Sequence, residues 1–461
     1  MFSAVTDRHG RCGQWSSRVS RPRRVLFSVF VLLHLLVGGF VAGIGQAMAA
    51  PMSEAAKAPA PSGPLSFAQC VGLALRESPF LTGSSLEIDV RRLDESDSRY
   101  GFVPSVSLRT RYFLNHPNDS QPYSIEFVTE PFNPVESYFT LQARKVITRM
   151  AALGHLRVIS DFVQRLALGF LELDALSQVE AYQDELIALA RRNSAYTTER
   201  LGTGGASPLE VRVATQEADL AVLERERLAS SKSTIEEGLK TLLGPADSRD
   251  FSLNTTNAGW QVLGGFDPAR VDFSQVQSDS IELKIQNMKQ ELQTRYVSLA
   301  RARFLPTLLF KLETADPLSR SEDGELFFSA GLELPLWDGL KRLHDITRQK
   351  TILQQFNAEE AMKDIDLASK WRAAQDRLKS AAADLELARA REELAGLKKR
   401  QGEIGYHSGS VSFGAFLAES KGLLEARKNI VLKALEKDKA ILGLRHLSGD
   451  LHKAYVDTSS F

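Results

Sequence analysis

The sequence predicts a mainly helical chain with a small β part, in which long antiparallel helical hairpins are joined to four short strands. A proline-free stretch after Gly339 runs to about Gly402, roughly 65 residues or about 100 Å of helix at 1.5 Å per residue. Apolar residues in such stretches recur at heptad spacing, while short runs elsewhere alternate apolar and polar residues at the period of a strand.

The first 49 residues read as an address: Arg18, Arg21, Arg23 and Arg24 precede the apolar run Val25 to Ile44, and Ala47-Met48-Ala49 fits a cleavage site. An uncleaved anchor is the alternative reading. Residues 50–64, rich in Ala, Pro and Ser, form a flexible lead-in. The expected order is then a first repeat over 65–245, an irregular connector over 246–275, a second repeat over 276–450 and a tail over 451–461.

Net charge is zero and no basic face dominates, which excludes nucleic acid as a partner class. Cys12 lies in the leader and leaves Cys70 alone, so no internal disulfide is available. Stability must come from helix packing.

In the first repeat, Ser66 caps a helix through Leu75, Pro79 interrupts it, and a second helix covers about Leu81 to Tyr100. Val106, Leu108, Thr110 and Tyr112 then alternate with Ser107, Arg109 and Arg111, so one face could meet lipid and the other water. Tyr138 to Arg144 alternates again and is expected to be the returning strand, with a further candidate strand at Tyr123 to Val128. In the second repeat, Leu308, Phe310 and Leu312 form the outgoing strand, Asp323-Gly324 the turn, and Phe328 to Leu334 the return. Four strands cannot close a barrel, and open edges are not tolerated in lipid, so a membrane sheet would need several chains. Alternation alone also allows two soluble hairpins packed on helices.

The helices say more. Leu378, Ala381, Leu385 and Ala388 make one heptad seam, and Leu387, Ala390, Leu394 and Leu397 make another, displaced around the same helix. Two seams suit a helix with a neighbour on each side, as in a ring. The helix from Leu209 to Leu243 shows one seam, at Val211, Ala214, Ala218, Ala221, Leu228, Ile235, Leu239 and Leu242. An ordinary antiparallel bundle also accommodates these seams.

Sheet and helix meet at Pro335-Leu336-Trp337-Asp338-Gly339. Pro335 ends the ladder, Asp338 caps a helix starting near Gly339, and Trp337 stands where an indole would sit at a membrane-water boundary. In each repeat a turn of small residues separates two long helices, Gly204-Gly205-Ala206-Ser207 in the first and Gly409-Ser410-Val411-Ser412 in the second.

Together the Leu65 to Leu75 opening, Phe102-Val103-Pro104 with Phe304-Leu305-Pro306, Pro335 to Gly339, Gly204 to Ser207 with Leu209-Glu210-Val211, and Leu242-Leu243-Gly244 resemble the TolC-type outer-membrane efflux family. The resemblance spans nearly all of residues 65–450. It implies a homotrimer in the outer membrane of a Gram-negative bacterium, with twelve strands in one lipid-embedded barrel and a trimeric α-barrel reaching into the periplasm. It also implies a passive exit duct for efflux or type I secretion, docked to a periplasmic adaptor and an energised inner-membrane transporter. On this reading the tips Gly204, Gly205, Ala206, Ser207, Leu209, Gly409, Ser410, Val411, Ser412 and Phe413 meet the adaptor. Pro335, Trp337, Asp338 and Gly339 form the membrane-interface join. Family members often narrow the periplasmic aperture with acidic residues past the second turn, where this chain has Ala415 and Ala418. Glu210 keeps the first-repeat acidic position, Val411 replaces its basic partner, and Glu419 is the substitute candidate. The first-repeat counterpart of the Pro-x-Trp-Asp-Gly exit, expected near Ala143-Arg144-Lys145, lacks proline and glycine.

No chemistry stands out. The eight histidines show no metal-ligand spacing, and His155, His344 and His407 read as solvated or interfacial helix residues. Gly202-Thr203-Gly204-Gly205 is followed by no Lys-Ser or Lys-Thr, so it is no phosphate loop. The expectation is a non-enzyme without cofactor or metal. An export channel is the first functional class, and a periplasmic coiled-coil adaptor or scaffold outside the membrane is the second.

Overall fold

A computed structural model describes residues 63–112, 123–244, 251–314, 326–334 and 336–455. The expected leader, most of the lead-in, the Asp323-Gly324 turn and Pro335 lie outside them.

The first repeat begins with α1 (Phe67–Glu77) and α2 (Pro79–Tyr100), joined at Ser78, with Pro79 at the first turn of α2, where a missing amide costs nothing. Strands β1 (Val106–Tyr112) and β2 (Tyr123–Thr129) follow, then α3 (Pro134–Gly202) and α4 (Pro208–Leu243). Short α5 (Ala258–Leu263) lies in the expected connector, and α6 (Phe273–Asp279) crosses its expected end into the second repeat. The second repeat has the same layout: α7 (Ile281–Ala302), β3 (Thr307–Thr314), β4 (Leu326–Glu333), α8 (Lys341–His407) and α9 (Phe413–Leu447). A last short helix, α10 (Asp450–Lys453), closes the described chain.

Two expectations need correction. Tyr138 to Arg144 is helix, not strand, and β2 is the run at Tyr123. Asn133 decides this: its Oδ1 accepts from the amides of Val135 (3.0 Å) and Glu136 (3.2 Å), and Pro134 at the first position starts α3 before the alternating run is reached. The first-repeat exit from sheet to helix therefore lies at 130–134, with Pro131 and Pro134, not near Ala143.

All four strands belong to one antiparallel sheet in the order β1-β2-β3-β4. The repeats are joined through β2 and β3, with Phe127 opposite Leu312 and Val128 opposite Lys311. Partners in an antiparallel ladder point the same way. Val106, Leu108, Phe127, Leu308, Phe310, Leu312, Phe328, Ala330 and Leu332 therefore share one apolar face, and Ser107, Arg109, Glu126, Lys311 and Ser329 share the other. On the polar face Lys311 Nζ lies 3.6 Å from the buried Glu126. Among the described residues no strand pairs with the outer edge of β1 or β4.

Helices are packed in a row four wide. Near the sheet the order is α2, α3, α7, α8, and away from it α4, α3, α9, α8. The 69-residue α3 and 67-residue α8 run through both halves, each about 100 Å long. At the sheet end the repeats are stitched by Asn133 Nδ2, which donates to Ala302 O at 2.9 Å, and by Arg303, which reaches Glu136 (3.1 Å) and Asp345 (3.4 Å). Asn133→Ala removes a helix cap and a buried donor together, so unfolding should cost about 1–2 kcal/mol less, checked by thermal melting against Ser137→Ala.

Between the two halves lies the main core. Phe67, Cys70 and Val71 of α1 meet Phe162, Leu166 and Phe170 of α3, Leu239 and Leu243 of α4, Val262 of α5, Leu442 of α9 and Leu451 of α10. Phe67 meets Phe170 edge-on at 5.4 Å. Burial pushes the Cys70 thiol up to about 12, so it stays protonated and packs as a small hydrophobe.

Candidate functional site

The two long hairpins turn beside each other, at the end away from the sheet. Each tip uses one plan, a left-handed glycine followed three residues later by a capping serine. Gly204 (φ +73°) and Gly409 (φ +78°) reverse the chain where a side chain would be strained. Ser207 Oγ accepts from Glu210 N at 3.2 Å, and Ser412 Oγ from Ala415 N at 3.3 Å. In the first tip Gly205 N donates to Arg200 O at 2.7 Å, and the Arg200 guanidinium donates to the Gly205 carbonyl. In the second, the amides of Ser410 (2.9 Å) and Val411 (3.1 Å) converge on Gly405 O.

Glu210 belongs to the first turn's architecture. Its Oε2 accepts from Ser207 N at 2.6 Å, completing a capping box, and these Ser207 bonds hold its carboxyl below the usual range. Glu419 is half-buried, and its stem packs against Gly402 of α8. The structure thus places Glu210 on a turn and Glu419 in the α8–α9 contact.

Phe413 is 9% exposed, covered by side chains of its own chain. Its ring meets Tyr196 of α3 edge-on at 4.4 Å, lies 5.4 Å from Tyr406 of α8, and carries the Arg192 guanidinium 5.6 Å from its centre. Tyr406 also stacks on Phe416 at 5.8 Å. An aromatic cluster therefore fastens one hairpin tip to the other. Sequence reasoning missed Tyr196, Tyr406, Phe416 and Arg192. The available signal was the density of rings within about ten residues of both turns. Leu209, by contrast, is 69% exposed, and Gly204, Gly205, Gly409 and Ser410 are exposed beside it.

At the opposite end, Trp337 is 80% exposed, with Leu336 next to it, and Val103, Phe304 and Leu305 are exposed where β1 and β3 are entered. Helix α8 begins at Lys341, later than expected, because Gly339 and Leu340 both adopt left-handed backbone (φ +67° each). Asp338 still serves that terminus: its Oδ2 accepts from Arg342 N at 3.1 Å.

His155 is half-buried between helices, with Nδ1 2.7 Å from Ser84 Oγ, and burial holds its pKa below the ordinary value. His344 and His407 are exposed. Among the described residues no helix is long and apolar enough to cross a membrane, and no cluster of His, Cys, Asp or Glu is arranged for a metal.

No family model matches the sequence, and no curated protein matches it. Solved structures do. A membrane protein from Pseudomonas aeruginosa superposes with a TM-score of 0.72 at 15% identity, covering 83% of this chain and 90% of that one. The outer membrane protein VceC of Vibrio cholerae gives 0.70 at 13%, covering 83% and 96%. The fold is that of the TolC-type outer-membrane channels. CmeC, an outer membrane channel of Campylobacter jejuni, agrees at 0.69 and 15% identity, covering 86% of this chain and 88% of its own. The TolC-type fold explains why sheet, helix row and paired tips succeed one another along a single axis.

Proposed function

We propose that this chain is one of three subunits of a passive outer-membrane exit duct, of the kind that completes a tripartite efflux or type I secretion system. The observation that carries the reading is that, among the described residues, every layer of the molecule ends on two open edges. The sheet stops at β1 and β4. The lower helix row stops at α4, with Val213, Leu220 and Leu223 exposed, and at α8, with Leu387, Leu394 and Leu397 exposed. The upper row stops at α2, with Leu86, Val90 and Leu93 exposed, and at α8, with Met362 and Ile365 exposed.

Apolar stripes on both flanks, at helical spacing, suit a head-to-tail contact that closes into a ring. One α8 seam is already used: Leu385 and Ala388 are buried inside the chain, while Leu394 and Leu397 are left for a neighbour. Three copies supply twelve strands, and the apolar sheet face then meets lipid while Arg109, Glu126 and Lys311 line water. Trp337 and the apolar residues around the join sit at the inner boundary of the bilayer.

In this duct the tips face an adaptor protein in the periplasm, with Leu209 and the backbone at Gly204, Gly205, Gly409 and Ser410 offered for contact. An energised inner-membrane transporter would supply the cargo. Detergent should be needed to extract the protein, and chemical crosslinking should stop at three subunits. Release as a monomer by a salt wash would overturn the reading and favour a scaffold outside the membrane.

A further inference from the structure

At the end of α9 the chain reverses at Gly449 (φ +71°) into α10, and the turn carries two histidines to the middle of the molecule. His446 lies on the last turn of α9, its Nε2 3.4 Å from Asp161 Oδ1 and its Nδ1 3.2 Å from Ser160 Oγ, both on α3. His452 lies on α10, is 3% exposed, and has a buried Nδ1 without a hydrogen-bond partner among the described residues. Both rings line a cavity of about 290 Å³ where α3, α7, α8, α9 and α10 meet.

Helix α10 matters beyond its length. Leu451 is fully buried in the main core, Lys453 Nζ lies 2.6 Å from Asp279 Oδ2 at the end of α6, and the following Tyr455 packs edge-on against Phe67 at 5.8 Å. This segment therefore ties the C-terminal end of the described chain to α1 and α6.

The surroundings of the two rings differ in sign. His446 faces the acids Asp161 and Glu282 as well as Arg157, and Arg157 is itself paired with Glu282 at 3.1 Å. His452 faces Lys453, Lys284 and His446, opposed by Asp279. Across the cavity Lys370 is held by Asp366 at 2.8 Å. Burial, then Lys453, His446 and Lys284, holds the His452 imidazole below its ordinary value. Burial lowers His446 as well, against the pull of Asp161.

We propose that α10 is a proton-operated latch, seated while both imidazoles are neutral and released when His452 takes up a proton. An imidazolium donates from both nitrogens, so a protonated His452 would bury a donor at Nδ1 with nothing to accept it. It would also place a further cation beside Lys453 and Lys284. The released segment, free in water, carries no such penalty. Because the seated imidazole binds a proton less readily than the free one, seating is fully favoured above about pH 6.5 and weakens as the pH falls below it. The weakening levels off below the seated pKa. Release withdraws Leu451 from the core where α1, α3 and α9 meet, so acid loosens the waist of the molecule and leaves the sheet and tips alone.

The test is hydrogen exchange on the full chain in detergent at pH 7.5 and 5.5, with rates corrected for intrinsic pH dependence. Amides of 450–455 should lose up to about tenfold of their protection at pH 5.5, the most that one imidazole free to titrate near pH 6.5 can contribute there, while α3 amides around Gln183 hold theirs. His452→Gln should cut that loss to less than about twofold, and His446→Gln should leave most of it. Unchanged protection of 450–455 in the native protein, or the same loss in His452→Gln, would overturn the latch. Should His452→Gln lack protection already at pH 7.5, NMR titration of labelled histidine in the native protein decides. A His452 resonance titrating at or above about pH 6.5 refutes the proposal, and one titrating lower, together with the exchange change, upholds it.

Discussion

A chain carrying Phe328→Lys with Leu332→Lys should keep its helices and lose its place in the outer-membrane fraction. The two side chains are 69% and 71% exposed on the apolar face of β4, so replacing them removes little packing within the subunit. A lysine facing lipid costs about 2–4 kcal/mol at the middle of the bilayer and less toward its edges. In the proposed three-chain barrel, two such changes on one strand of every subunit would exceed what the assembly can absorb. Ser329→Lys is the internal control, because Ser329 pairs with Lys311 on the opposite face and would project into water. Circular dichroism should report unchanged helix content in both variants, and density-gradient fractionation should separate the double lysine variant from Ser329→Lys and the native chain. Equal recovery of the double variant in membranes, or equal loss of the Ser329 variant, would contradict a lipid-facing sheet.

How far the sequence announces this architecture depends on how local each signal is. The α4 seam reads directly from Ala214, Ala218 and Leu239, all buried, because heptad spacing is a property of one helix. So does the double seam of α8, and the structure adds which half is satisfied within the chain: Leu385 is buried and Leu394 exposed. The error at Tyr138 to Arg144 has a local cause too. Seven residues of alternation are too few to separate strand from helix, and the deciding cue stood just upstream in Asn133-Pro134. Union of both strand pairs in one sheet was not readable, because the β2–β3 pairing joins residues far apart in sequence. The same holds at the tips. Phe413 directly follows a turn, which suggests exposure, and only the position of Tyr196 on another hairpin shows that it is covered. His452 likewise looks like one of several scattered histidines until the Gly449 turn brings it against α7.

Phe413→Ala should part the two hairpin tips. Removing a buried phenylalanine costs about 3–5 kcal/mol where the surroundings cannot close over the gap. Here the ring is also what joins Tyr196 and Arg192 on the first hairpin to Tyr406 on the second. The loss is therefore concentrated in the contact between hairpins. Each turn has its own glycine and serine cap, so the turns themselves should persist. Phe413→Leu restores much of the buried area without the ring-edge and cation contacts, each worth about 1 kcal/mol, and should fall between. In hydrogen exchange, amides near Tyr196 and Tyr406 should lose protection in the alanine variant while those around Phe170 do not change. Across a lipid bilayer the same variant should conduct more, because the tips form the end of the helix row farthest from the sheet and their separation widens it. A tip that stays protected and a conductance that stays constant in Phe413→Ala would show that the hairpins are held together elsewhere, with the Gln183, Lys428 and Glu224 network the next place to look, since Lys428 Nζ reaches Gln183 Oε1 at 3.0 Å across α3 and α9.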